Sequence, residues 1–182
     1  MDEAAEYLMQ GGVGVLPTDT LYGLVGSALD PDAVDRIYDL KERQPDKPVI
    51  VLISQLEQLE QFGVVMSEQL KERLMTYWPG PYTIVLSIED EQFEYLDRGR
   101  MAIAFRMPAS DELRALIDVV GPIIAPSANT EGRPPARNVA AAKAYFGTDV
   151  DFYIEGGDLD GPPSTIIEFD GEEVNTLRGV AN

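Results

Sequence analysis

The stretch VGVLPTDTLYGLVGSAL, residues 13–29, decides how this chain folds. Its two apolar runs, residues 13–16 and 24–29, predict two short buried strands. The polar segment that begins at Thr18 ends the first of these strands abruptly, directly after Pro17. Gly23 then permits the backbone to approach a neighbour closely. A strand end of this kind can present hydroxyl and backbone groups to a small polar ligand, although Thr and Asp also form ordinary turns there.

The rest of the sequence alternates between helix and strand signals. Asp30 and Pro31 predict the start of a helix that extends to about Arg43. Ser54 and Glu57 predict a capping box for a helix over residues 55–62. Further helices are predicted over residues 2–10, from Ser67, over 111–120 and over 139–146 behind an Asn138 cap; strands are predicted over residues 49–53, 83–88, 101–107, 123–125, 152–154, 165–169 and 174–177. We therefore expect one α/β domain over residues 1–182, built around a mixed sheet.

The composition excludes several classes of site. The chain of 182 residues has no Cys and no His, which excludes disulfides, thiolate nucleophiles, Ser–His hydrolase chemistry and most transition-metal sites. Its net charge of -18, from 14 Lys plus Arg against 32 Asp plus Glu, argues against a broad nucleic-acid-binding face. No apolar run reaches the roughly 18 residues of a membrane span, and the acidic N-terminus is unlike a signal peptide. We expect a cytoplasmic protein.

Lys41, Arg43 and Lys47 place three cations around the end of the predicted helix 31–43. Cations in the last turn of a helix offset the negative end of its dipole, and this alone would explain them. Lys41 nevertheless falls on the apolar face of the helix, while Pro45 and Pro48 stiffen the turn that carries Lys47. Such a group can also grip a triphosphate, because Arg supplies a planar fork and Lys supplies point charges. In so acidic a chain, clustered cations indicate a specific anionic ligand such as a nucleotide.

Polar residues also follow other apolar runs. Ser127 and Asn129 come after the predicted strand 123–125, and their side chains suit a carboxylate, a phosphate, a base edge or a capped loop. Arg106 ends the apolar run 102–105, where a cation either pairs with a structural carboxylate or binds a ligand carboxylate. Arg178 ends the last predicted strand, where it is either a ligand contact or an ordinary surface residue.

Seven motifs in order carry a family resemblance: PTDTLYGL, KERQPDKP, WPGPYTIVL, AFRMP, PSANTEGRPP, PPSTIIEF and LRGV. Together they resemble the threonylcarbamoyl-adenylate synthases of the YrdC type. The match runs from about Gly12 to Val180, and although each motif is modest alone, seven in order at compatible spacings are highly specific. The resemblance implies a twisted α/β sheet with a large concave, positively lined cavity. It also implies the short, single-domain form of the family.

The resemblance further implies an activity. It indicates a nucleotidyltransferase that forms threonylcarbamoyl-AMP and pyrophosphate from L-threonine, bicarbonate and ATP, for modification of tRNA at adenosine-37. A separate tRNA threonylcarbamoyl transferase complex would accept the product, with weak or no direct tRNA binding by this chain. Mg2+ would arrive with ATP, bridged by its phosphates, with no metal fixed by the protein and no organic cofactor.

Matching motif positions carry the family's residue roles onto this sequence. On the threonine and bicarbonate side the resemblance implies Thr20, Arg106 and Ser164. On the ATP side it implies Arg43, Lys47, Ser127, Asn129, Pro135 and Arg178. The implied catalytic cations are Lys41, Arg43 and Lys47, with Lys41 as the first cation of the family's Lys-x-Arg element.

Two positions depart from the family pattern, and two other functions stay open. Leu52 stands where many relatives carry a polar residue, often His, near the threonine, and Glu131 replaces the usual Ser of the PSANTEG element. Both departures bear on substrate preference. A non-catalytic RNA-binding module is one alternative, against which the charge of -18 argues. The other is a paralogue that handles carbamoyl-adenylate, a domain usually found inside larger multidomain chains.

Overall fold

The computed structural model describes residues 1–179, so Val180 of the last motif and the two residues after it lie outside the described part. The helices are α1 (Asp2–Leu8), α2 (Pro31–Lys41), α3 (Glu68–Leu74), α4 (Glu94–Asp97), α5 (Asp111–Val120) and α6 (Val139–Phe146), with 3-10 turns at Leu56–Phe62 and Glu91–Phe93. The strands are β1 (Gly14–Pro17), β2 (Tyr22–Ser27), β3 (Ile50–Leu52), β4 (Tyr82–Ser87), β5 (Ala102–Arg106), β6 (Ile123–Ile124), β7 (Phe152–Tyr153), β8 (Thr165–Asp170) and β9 (Glu173–Arg178).

Within residues 1–179 the strands form one nine-stranded sheet in the order β7-β1-β2-β6-β3-β5-β4-β8-β9. The pairs β1–β7, β3–β5 and β4–β8 are parallel. The other neighbouring pairs are antiparallel. The mixed α/β sheet expected from the sequence is therefore confirmed. No helix in the described part of the chain is long and apolar enough to cross a membrane.

The strands alternate their side chains between two faces of the sheet, as a period of two requires. On one face, strand residues such as Val15 and Val51 join the larger core together with α2, α6 and the 3-10 turn at 56–62. On the opposite face, Leu16 and Leu52 pack against α1 and α5. This second core takes its strand residues from β7, β1, β2, β6 and β3 alone. Within residues 1–179, the same face of β5, β4, β8 and β9 is therefore left without a packed helix core.

Local capping signals fix several helix starts. The Asp30 side chain accepts a hydrogen bond from the Asp32 N–H at 3.0 Å, and the Asn138 side chain accepts one from the Ala141 N–H at 2.9 Å. These bonds satisfy N–H groups that the first turn of a helix leaves without partners. Both predicted caps are confirmed, and α2 and α6 begin directly after them.

The capping box predicted from Ser54 and Glu57 is wrong. Residues 56–62 form a 3-10 helix whose N-cap position is Gln55, and no side chain caps it. The side-chain oxygen of Gln58 instead accepts hydrogen bonds from the Ser54 N–H at 2.8 Å and from the Ser54 hydroxyl at 3.1 Å. The Ser54 hydroxyl is therefore engaged by a buried amide and does not cap the turn.

Candidate active site

Strand β5 explains why a cavity opens on the uncovered face of the sheet. Ala102, Ala104 and Arg106 alternate onto that face. The two alanine methyl groups leave space above the strand, and both line a cavity there. Arg106 continues the same row at the end of the strand, where it pairs in register with Leu52 of β3. Leu52 itself is buried in the second core and lines neither of the cavities described below.

Two adjoining cavities occupy this face of the sheet. The first has a volume of about 480 Å³ and is lined, among others, by the predicted residues Thr20, Arg106, Ser127, Pro135, Ser164 and Arg178. The second has a volume of about 460 Å³, and its lining includes Arg43, Ser127 and Arg178. Ile50, Ser127 and Arg178 line both cavities, so the two form one continuous site.

Arg106 lies on the floor of the first cavity with only 4% of its surface exposed. Its Nη1 donates a hydrogen bond to the Thr20 hydroxyl at 2.9 Å, and its Nη2 lies 3.5 Å from the Thr18 hydroxyl. The Nη2 atom also lies 3.2 Å from Asp19 Oδ1, an ion pair without hydrogen-bond geometry. The Nε atom is buried and has no hydrogen-bond partner among residues 1–179. Nη1 and Nη2 carry two N–H groups each and do not use all of them in these contacts, so the guanidinium keeps donor capacity for a ligand carboxylate.

Two residues of the PTDTLYGL motif contribute in ways that sequence reasoning missed. Asp19 forms an ion pair with Arg106, and its carboxylate also accepts a hydrogen bond from the Ala109 N–H at 2.9 Å. The buried Tyr22 hydroxyl accepts the Gly156 N–H at 2.8 Å and donates to the Gly157 carbonyl at 2.8 Å. These bonds fix the first half of the segment 155–163, and the second half, from Leu159 to Pro163, contributes to the lining of the first cavity. A buried Tyr in a polar motif is the sequence signal that could have suggested this role, because its hydroxyl needs a partner.

Arg178 reaches the site because β9 is irregular. Ile166 pairs with Arg178 whereas Ile167 pairs with Thr176, so Leu177 is an extra residue in β9. Such a bulge bends the strand and re-aims side chains. Leu177 and Arg178 accordingly both line the second cavity, although consecutive strand residues normally point to opposite faces.

Ser164, directly before β8, holds the Arg178 side chain at the end of β9. The Arg178 Nη2 donates to the Ser164 carbonyl at 3.2 Å and to the Ser164 hydroxyl at 3.3 Å. The Ser164 hydroxyl in turn accepts a hydrogen bond from the Thr83 hydroxyl at 2.8 Å. The structure therefore brings Ser164 and Arg178 together, although the family resemblance places them on different substrate sides.

Lys41 faces the protein interior and not the cavities. Only 2% of its surface is exposed, and its Nζ donates hydrogen bonds to the Ser127 carbonyl at 2.5 Å and the Asn129 carbonyl at 2.8 Å. Burial lowers the pKa of Lys41 to about 7, with Arg43 adding to that effect. Lys41 thus anchors the loop that presents Ser127 to the site. The Asn129 side chain also bonds within this loop, because its amide donates hydrogen bonds to the Thr130 and Arg133 carbonyls.

Arg43 and Lys47 lie on the turn after α2 but face different ways. Arg43 lines the second cavity, and its Nη2 donates to the Pro48 carbonyl at 2.7 Å. Lys47 forms an ion pair with Glu131 at the surface and lines neither of the two cavities. Arg100, which the sequence reasoning did not single out, joins Arg43 in lining the second cavity.

The cavity cations influence one another. Burial lowers the pKa of Arg106, and the nearby Arg178 adds to this effect while Asp19 opposes it. Burial also lowers the pKa of Arg178, with Arg43 adding to the shift. With Arg100 and Arg137, which also line the two cavities, five guanidinium groups among the described residues share one concave site in a chain of net charge -18. Such a site attracts an anion with several charges, because cations held close together favour a shared counter-charge.

Comparison with known proteins identifies the family. The chain matches the Sua5/YciO/YrdC family model, described as "Telomere recombination", over residues 6–179. The chain belongs to this family. It is 36% identical over 168 residues to the threonylcarbamoyl-AMP synthase of Pyrococcus abyssi, a match that covers 91% of this chain and 49% of that protein. It is 32% identical over 157 residues to the threonylcarbamoyl-AMP synthase of Coxiella burnetii, covering 86% of this chain and 84% of that protein.

A solved structure of the Sua5/YciO/YrdC family shares the fold described above. The P. abyssi Sua5 complexed with L-threonine superposes with a TM-score of 0.88 at 34% identity, over 97% of this chain and 52% of that one. This chain thus spans about half the length of the Pyrococcus relative and most of the length of the Coxiella relative. The family membership expected from the seven motifs is confirmed.

Proposed function

We propose that this protein is a threonylcarbamoyl-AMP synthase, a nucleotidyltransferase that converts L-threonine, bicarbonate and ATP into threonylcarbamoyl-AMP and pyrophosphate for tRNA modification. One observation carries the proposal: two adjoining cavities join the buried Arg106 to a cluster of guanidinium groups at Arg43 and Arg178. The first arrangement suits an amino-acid carboxylate, and the second suits a triphosphate. Relatives that carry this name in Pyrococcus and Coxiella support it.

Threonine binds, in this proposal, at the Arg106 end of the first cavity. Its carboxylate pairs with the guanidinium, and the Thr20 hydroxyl already lies 2.9 Å from Arg106 Nη1. The Ser164 hydroxyl supplies a further polar contact to the amino acid or to bicarbonate. The P. abyssi Sua5 structure with L-threonine supports threonine as the substrate of this fold.

ATP binds, in this proposal, along the side formed by Arg43, Ser127, Pro135 and Arg178. Arg43 and Arg178 neutralise the charge of the phosphate chain, and Ser127, which lines both cavities, contacts the nucleotide. Lys41 and Asn129 hold that loop in place from behind. Lys47, on the same turn as Arg43 but outside both cavity linings, supplies a further cation in this proposal once ATP is bound.

The chemistry then needs positioning and charge neutralisation, not a covalent nucleophile. The threonine amine attacks the bicarbonate carbon, and loss of water leaves a carbamate on the threonine nitrogen. A carbamate oxygen attacks the α-phosphorus of ATP, the bond to the β-phosphate oxygen breaks, and pyrophosphate leaves. Arg43 and Arg178 stabilise the charge that develops on the phosphates, while Arg106 holds the threonine so that its carbamate faces the α-phosphate.

Magnesium is expected to accompany ATP as its phosphate complex. Mg2+ commonly binds through substrate phosphates and only one or two carboxylates. Within residues 1–179 no group of three or more Asp or Glu side chains could hold a metal. The cavities do offer Asp160 and Glu168, one in each lining, which fits a metal brought in by the nucleotide. Mg2+ would neutralise phosphate charge, and these two carboxylates are the candidates to orient it.

The product is expected to leave for a second protein. The net charge of -18 argues against a broad cationic surface for tRNA, so a separate tRNA threonylcarbamoyl transferase complex completes the modification in this proposal. A cytoplasmic location follows from that role.

Pyrophosphate release tests the proposal and separates it from its alternatives. We expect release from ATP that requires both threonine and bicarbonate. Release that does not respond to threonine would favour the carbamoyl-adenylate paralogue. Absence of release, combined with thermal stabilisation by RNA but not by ATP and threonine, would favour an RNA-binding module.

A further inference from the structure

The Lys47–Glu131 pair joins two loops that the family motifs place around ATP. Lys47 Nζ donates to Glu131 Oε1, and the Gln44 N–H donates to Glu131 Oε2 at 2.8 Å. The Glu131 backbone N–H donates to the Lys41 carbonyl at 2.8 Å. Hydrogen bonds from Lys47 and Gln44 hold the pKa of Glu131 below its usual range, so this side chain is an anion near neutral pH. The Glu131 carboxylate is therefore paired with Lys47, a cation that the proposed function assigns to phosphate binding.

The backbone at Lys47 is fixed, whereas its side chain is free to turn. The Lys47 carbonyl accepts hydrogen bonds from the Tyr38 hydroxyl at 2.5 Å and from Arg43 Nε at 3.3 Å. The Lys47 side chain remains 45% exposed in its pair with Glu131. Exposed ion pairs of this kind are weak and exchange readily. The long Lys47 side chain can therefore leave Glu131 while its backbone stays in place.

We propose that Glu131 competes with the phosphates of ATP for Lys47, and so sets the ATP affinity of this particular chain. This inference rests on the proposed function. The free protein keeps Lys47 on Glu131, and the nucleotide has to displace that carboxylate to recruit the cation. The triphosphate wins because it carries more charge than one carboxylate and is also held by Arg43 and Arg178.

Glu131→Gln separates the charge of this side chain from its shape. The amide oxygen can still accept the Gln44 N–H, so the loops stay joined while the negative charge is lost. Glu42→Gln is the matched control, because it removes one negative charge from the same turn. The Glu42 side chain has no hydrogen bond or ion pair with any of residues 1–179. Long-range charge effects should thus be similar in the two variants.

The test is the dissociation constant of MgATP, measured by calorimetry for the whole protein without threonine. We expect Glu131→Gln to bind MgATP about two- to fivefold more tightly, the effect of removing one weak ion pair. Glu42→Gln should change the affinity by less than this. In a Lys47→Ala background, the Glu131→Gln gain should disappear, because no lysine remains to be released.

The outcomes separate this inference from the proposed function. Equal or weaker MgATP binding by Glu131→Gln overturns the competition, as does a gain that persists in the Lys47→Ala background. A gain of the same size in Glu42→Gln also overturns it, since it would reflect net charge alone. If the unaltered protein binds no MgATP, the proposed function itself fails.

Discussion

Replacing Arg106 tests the threonine site most directly, but the single substitution has two effects. Arg106→Leu removes a ligand cation and also leaves Asp19 without its ion-pair partner. The side chains of Arg106 and Asp19 are only 5% and 10% exposed. Breaking a buried pair in this way costs about 3–5 kcal/mol of unfolding free energy. For a domain of this size the melting temperature should fall by about 6–20 °C.

A double variant separates folding from binding. Asp19→Asn combined with Arg106→Leu removes both charges, so most of the lost stability should return. Threonine binding should stay weak, because a charge-assisted contact typically contributes about 1.5–3 kcal/mol, or about 10- to 150-fold in affinity. The affinity for MgATP should change little in either variant. Asp19→Asn alone is the control for effects of the carboxylate on threonine.

The assay combines melting temperatures with the threonine dependence of pyrophosphate release on the same preparations. The reasoning predicts that the double variant regains its melting temperature but keeps the raised KM for threonine. If the double variant regained both, Arg106 would be a structural ion-pair partner only. An unchanged KM for threonine in Arg106→Leu would refute the carboxylate assignment outright.

Three further predictions concern residues around the site and one helix cap. The pKa of Lys41 is about 7 in the folded protein and about 10.4 in an unfolded chain, so the unfolded state binds more protons between these values and stability rises with pH. From pH 7 to 9 the free energy of urea unfolding should rise by about 2.3 kcal/mol more in the native protein than in Lys41→Met, and parallel pH profiles would contradict this. Tyr22→Phe removes both hydrogen bonds to the segment 155–163, so we expect the KM for threonine to rise by a larger factor than kcat falls. A lower melting temperature with unchanged kinetics would instead show that Tyr22 contributes to stability alone. Ser67 caps α3 through the Leu70 N–H, so Ser67→Ala should cost about 1 kcal/mol in chemical denaturation without changing pyrophosphate release, and an unchanged denaturation midpoint would contradict the cap.

The features that the sequence predicts well are those set by neighbouring residues. Helix α5 covers residues 111–120 and α6 covers 139–146, as predicted, because Ser110 and Asn138 cap their first turns. The family follows from the order of its motifs, which does not depend on any contact. The Ser54 capping box is an exception among these local features. The buried side chain of Gln58, which is not part of the capping pattern, accepts the hydrogen bonds of Ser54 instead.

The features that sequence reasoning misses depend on contacts between distant parts of the chain. Helix spacing places Lys41 on the apolar face, but its partners, the carbonyl groups of Ser127 and Asn129, are 86 and 88 residues away and cannot be read from that spacing. Asp19 was predicted only as part of a polar strand end, and its pairing with Arg106 requires the folded sheet. The motifs thus name candidate site residues, and the structure adds the orientation of their side chains.

The irregular pairing of β9 makes residue spacing part of the site. Since Ile166 pairs with Arg178, and Leu177 is the additional residue, two consecutive side chains serve the same cavity. If Leu177 paired with Ile166 instead, strict alternation would carry Arg178 to the opposite face of the sheet. A relative or an engineered hairpin could therefore keep every residue type in this strand and still lose the cation from the site. Alignments across residues 176–178 should accordingly be judged by length and register before they are judged by identity.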